Sequence, residues 1–104
     1  MAHSHEAQEL HLYVSNVVPL WQRVEALARL YERKRAKGIY DHDKAIKGFG
    51  PLLLEAAHHY SREHSTGRDG PAMFPPHVRR ETAALLLERI EDEWAAGNYW
   101  SIEA

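Results

Sequence analysis

The chain of 104 residues is 44% hydrophobic and 27% charged, the balance of a globular domain rather than a disordered segment, and its length supports a single core. The formal net charge of −2 at pH 7 is unlike that of a typical basic nucleic-acid-binding domain, and the lack of cysteine excludes disulfides, thiolate zinc sites and thiol nucleophiles. No window approaches the ~18 consecutive apolar residues of a bilayer span, and residues 1–11 have neither the basic nor the apolar region of a signal peptide, so a cytoplasmic location without membrane contact is expected.

Residues 1–15 read as an N-terminal arm, because Leu10-His11-Leu12-Tyr13-Val14 alternates in the manner of a short extended segment. A first helix is predicted over residues 16–37. Ser15 and Asn16 can cap it, Pro19 suits its first turn, and Leu20, Val24, Leu27 and Tyr31 form its apolar stripe, widened by Trp21 and Ala28. Gly38 ends it after the basic run Arg33, Lys34, Arg35 and Lys37.

A second helix is predicted over residues 41–64, with Asp41 as N-cap. Gly48-Phe49-Gly50-Pro51 would ordinarily break it, yet Ala45, Phe49, Leu52, Ala56 and Tyr60 keep one helical phase through the interruption. The phase predicts one helix kinked near Gly48 rather than two separate segments. Residues 65–74, with three closely spaced Gly or Pro and Asp69, read as a loop. Pro75 and Pro76 then open a third helix over residues 75–97, with Thr82, Leu86, Ile90 and Trp94 facing inward and Gly97 closing it. Residues 98–104 form a C-terminal tail. The expected architecture is a single all-α domain: a three-helix bundle with a kinked second helix and a short N-terminal extended arm.

Charge is unevenly distributed: residues 22–47 hold eight Lys or Arg against four Asp or Glu, while residues 48–104 hold five against nine. The basic stretch Arg29, Arg33, Lys34, Arg35 and Lys37, continued by Lys44 and Lys47, is a candidate phosphate-contacting surface for nucleic acid, though no helix-turn-helix, zinc-finger or other recognition signature accompanies it. Glu55-Ala56-Ala57-His58 has the Glu-x-x-His spacing of di-iron carboxylate bundles, which places both ligands on one helix face. A complete site needs a second such pair and two more carboxylates, hence a symmetric homodimer with Glu25 or Glu32 as further ligands; such a spacing is more commonly an ordinary solvated helix face. No Gly-x-Ser-x-Gly elbow or Gly-rich phosphate loop is present, so no enzyme chemistry and no cofactor is expected.

Glu88, Glu91 and Asp92 on the third helix, with Trp94, Tyr99 and Trp100, make up an acidic and aromatic group of the kind that protein interfaces use, although Trp94 also fits the core stripe. The leading expectation is therefore a non-enzymatic protein-protein interaction module acting through these residues, with self-association a ready way to cover leftover apolar surface.

The segments Gly38-Ile39-Tyr40-Asp41-His42-Asp43-Lys44-Ala45, Phe74-Pro75-Pro76-His77-Val78-Arg79, Glu91-Asp92-Glu93 and Gly97-Asn98-Tyr99 together resemble a group of small proteins encoded by tailed bacteriophages and related mobile elements, over about residues 14–99. The motifs are short and carry no activity with them. Gly48-Phe49-Gly50-Pro51 departs from that pattern, where helix formers would be expected. The resemblance implies a phage-encoded accessory protein, such as a modulator of a host factor, working in the bacterial cytoplasm.

Overall fold

A computed structural model describes residues 4–64 and 70–98. Those residues form helices and no strand: α1 (His5–Asn16), α2 (Val18–Ala36), α3 (His42–Gly48), α4 (Gly50–Glu63), the single turn α5 (Gly70–Met73) and α6 (Pro76–Ala95). The all-α class stands. Because α3 and α4 join into one bent helix, four principal helices pack together, not three.

The additional helix is the expected extended arm. The Ser4 hydroxyl caps α1 by accepting from the Ala7 amide at 3.2 Å, and the Ser4 amide donates to Glu81 Oε2 at 2.8 Å, tying the start of α1 to α6. Ala7, Leu10 and Val14 are fully buried. Their i, i+3, i+7 spacing is a helical stripe that the short alternation around Leu12 conceals. Ser15 and Asn16 do not cap α2. They close α1, bonding back to the carbonyls of His11 and Leu12, and Val17 alone joins the two helices. Pro19 sits in the first turn of α2, and Leu20, Val24, Ala28 and Tyr31 are buried as the periodicity requires. Gly38 then takes φ +75°, which only glycine adopts without strain.

At the interruption, the Phe49 amide reaches the carbonyls of Ala45 and Ile46 at 3.3 and 3.2 Å, and its carbonyl accepts from Leu53 at 3.0 Å. Hydrogen bonding is thus carried across the bend. Pro51 occupies the first turn of α4, where a missing amide proton costs little, so the ~3 kcal/mol of a mid-helix proline is avoided. Gly50 spares Pro51 the clash that a preceding Cβ would cause in helical conformation. The Phe49 ring is fully buried, worth ~1.5–3 kcal/mol. It meets Tyr31 edge-on, with ring centres 5.9 Å apart.

Gly48 has a different task. The Tyr31 hydroxyl rests on it while donating to the Ala45 carbonyl at 3.3 Å, and a Cβ at position 48 would collide with that oxygen. The ring carbon behind the hydroxyl would be 3.4 Å away, an ordinary contact.

Pro75 and Pro76 start α6 as expected, and Val78, Thr82, Ala83, Leu86, Leu87, Ile90 and Trp94 are its buried face. At the crossing of α1 and α6, the wholly buried Thr82 hydroxyl reaches the carbonyls of Val78 (2.9 Å) and Ala7 (3.4 Å). The loop expected over residues 65–74 is helical at Gly70–Met73, and residues 65–69 lie outside the described residues. Gly97, at φ +86°, ends α6.

Gly48→Ala is expected to destabilise the fold by ~1–3 kcal/mol through overpacking. With Tyr31→Phe the hydroxyl is gone, and the same change should be neutral or stabilising by up to ~1 kcal/mol of helix propensity. Denaturant midpoints of the four proteins measure this, and simple additivity would refute the contact.

Candidate functional site

The acidic and aromatic residues singled out in the sequence divide into two sets. Trp94 belongs to the interior. It is 4% exposed, its Nε1 donates to Glu32 Oε2 at 2.8 Å, Tyr40 packs edge-on at 5.2 Å and the Arg35 guanidinium lies over its ring at 5.4 Å. Glu91 is also committed to the fold: it accepts from the Tyr40 hydroxyl at 2.7 Å and pairs with His42 Nδ1 at 2.9 Å, holding the α2–α3 connection against α6. Burial and the Glu91 carboxylate raise the pKa of Tyr40. Tyr99 and Trp100 lie outside the described residues.

Glu88 and Asp92, one turn apart, face a different place. With Arg89, Glu93, Leu85 and His11 they line a cleft between α6 and α1, and it continues along α1 past Leu12 and Gln8 to His5. Leu85 is half-buried there, while Leu12 stands at the crest of α1 with 62% of its surface exposed. Arg89 is drawn aside to stack over Trp21 at 4.9 Å, and the Glu93 carboxylate takes the Asn98 amide at 3.0 Å. At the far end Glu9 accepts from the Tyr60 hydroxyl. His11 is not on a loose arm but half-sunk in this cleft, and burial, with the Arg89 charge second, lowers its pKa.

The other expected sites look less like working centres. The Glu55 carboxylate is taken by Arg23 at 2.6 Å, which holds its pKa below the usual range, and His59 Nε2 is 3.8 Å away. His58 is exposed. Glu32, a proposed further ligand, is 6% exposed and bonded to Trp94. Among the described residues no three His, Asp or Glu converge on a point where an ion could sit.

Of the basic stretch, Arg29, Arg33, Lys34 and Arg35 on α2 and Lys37 at its C-cap are all exposed, and the Arg35 guanidinium also covers Trp94. Lys34 and Lys44 share a cleft between α2 and α3. Folding brings Lys47 of that stretch together with two cations remote from it: Lys47, Arg79 and Arg80 flank a groove where the bent helix meets α6, floored by Ile46, Leu53 and Leu54.

A second aromatic group lies at the α1–α4 end. Tyr60 stacks on His64 at 4.0 Å and meets Tyr13 and Phe74 edge-on at 5.2 and 5.0 Å. The buried Tyr13 hydroxyl makes no hydrogen bond of good geometry, and burial, with the nearby Glu63 carboxylate second, pushes its pKa up to about 12.

Glu32→Ala strands the buried indole donor and should cost ~1–3 kcal/mol, whereas Glu32→Gln, which keeps an acceptor, should cost less; equal thermal melts for both would deny the bond its role. Because the folded state resists protonating His11, its contribution is intact above the ordinary histidine value of 6.5 and is lost as pH falls below that value. His11→Gln should therefore lose less melting temperature than the parent between about pH 7.5 and 5, and parallel losses would contradict the assignment. No family model, curated protein or solved structure matches this chain.

Proposed function

We propose that the chain is a non-enzymatic protein-interaction module whose α1–α6 cleft receives a basic, amphipathic segment of a partner. Leu12 carries this reading. Leu12, 62% exposed on a helix whose opposite face is completely buried, adjoins the half-buried Leu85 in the same cleft, and the two form a small apolar surface that the fold leaves uncovered. Glu88, Asp92 and Glu93 place an acidic rim beside it, the arrangement of an apolar centre with a charged edge that interfaces use.

Binding suits the cleft better than catalysis. Glu9, Arg89 and Glu93 are occupied by Tyr60, Trp21 and Asn98, so these side chains hold the walls in place. The resemblance to small phage-encoded proteins favours an accessory role, as a modulator of a host factor.

A photoreactive amino acid at position 12 should crosslink one specific protein in the expressing bacterium, and the same group at the exposed His58 position should not. Adding Asp92→Lys should reduce the crosslink at least about fivefold while stability stays within ~0.5 kcal/mol, as for other surface changes. Equal labelling from positions 12 and 58 would remove the cleft from the proposal.

A further inference from the structure

We infer that the partner seated at the α1–α6 cleft is a second copy of this chain, presenting the groove between the bent helix and the start of α6. This inference rests on the interaction reading above and gives its partner an identity.

The two surfaces are complementary in both respects that matter. The α1–α6 surface offers a protruding apolar side chain, Leu12, beside the carboxylates of Glu88, Asp92 and Glu93. The second groove offers a recess floored by Ile46, Leu53 and Leu54, with Leu54 itself 38% exposed, and rimmed by Lys47, Arg79 and Arg80. No carboxylate lines that recess. Arg79 is fixed in place by donating to the Phe74 carbonyl at 2.7 Å, so part of the cationic rim is preorganised. An apolar floor between the cations suits a leucine crest better than a phosphodiester backbone, which has no apolar group to bury.

Geometry also fixes the kind of assembly. At 3.6 residues per turn, the α6 positions 79, 80 and 83 and the positions 85, 88 and 92 are centred roughly 160° apart around the helix. The two surfaces therefore cannot meet within one molecule, nor can both be satisfied at once in a two-fold pair. The contact is head-to-tail, which builds rings if the rotation closes and open chains if it does not.

Sedimentation velocity on the full chain and two variants tests this. Leu12→Arg with Asp92→Arg spoils only the donor surface, and Leu54→Arg spoils only the recess. Circular dichroism melts confirm that both variants are folded. At low salt the parent's mass should rise with concentration beyond a dimer, and raising the salt to about 0.5 M should weaken assembly severalfold as the rim charges are screened. Each variant alone should remain a monomer. An equimolar mixture should give a dimer and nothing larger, because each variant supplies one intact surface.

A parent that stays monomeric up to about 1 mM overturns the inference, since a weaker contact has no standing as an interface. So does assembly unaffected by either variant, or a mixture that remains monomeric. Salt-dependent binding of a 20-base-pair DNA duplex at the recess, in place of self-association, overturns it too and assigns those cations to nucleic acid. If the photoreactive group at position 12 captures a different protein while the parent is monomeric, the interaction reading survives and only the second copy falls.

Discussion

A tyrosine resting on a glycine directs the chain where α3 becomes α4. The Tyr31 hydroxyl occupies the space that a side chain at position 48 would need, and Phe49 fills the core immediately after it. The joined helix stays continuous through the bend because its hydrogen bonds pass through Phe49. That angle also opens the recess lined by Ile46, Leu53 and Leu54 beside α6. One close contact in the interior thus shapes part of the exterior.

Around this core, three carboxylates accept from aromatic donors on other elements. Glu32 holds the Trp94 indole, Glu91 the Tyr40 phenol, and Glu9 the Tyr60 phenol. These bonds are directional and each fixes one pair of elements, whereas the apolar stripes alone would tolerate sliding. Burial, then the Glu91 carboxylate, raises the pKa of Tyr40, and the Glu9 bond, then burial, raises that of Tyr60, so the stabilisation is complete below the ordinary tyrosine value of 10.0 and drains away as pH climbs above it.

Much of the fold is legible in the sequence wherever a helical stripe is long. The phase running from Ala45 to Tyr60 through two glycines and a proline identifies a bent helix, and the residues of α6 from Val78 to Trp94 face inward as spacing requires. The N-terminal helix is harder to recognise because it is short. Five alternating residues around Leu12 mimic a strand, and the decisive partner of Ser4 is Glu81, which no local pattern reveals. The candidate site is legible in part. Glu88 and Asp92 do line a cleft, but Glu91 and Trp94 are spent on tertiary bonds, and neither the α1 wall nor the contribution of Arg79 and Arg80 to a cationic groove can be read from segments remote in sequence.

The bond between Ser4 and Glu81 spans 77 positions, and Thr82 touches the Ala7 carbonyl across 75. Closing such a distance has an entropic cost that grows only slowly with length, but it has to be met before these contacts give anything back. The amino-terminal helix thus joins the two ends of the described chain, packing on α6 as well as on its neighbour α2. Without it, the cleft has only one wall. The cleft is thereby a product of the completed fold, because its two walls come from opposite ends of the described chain.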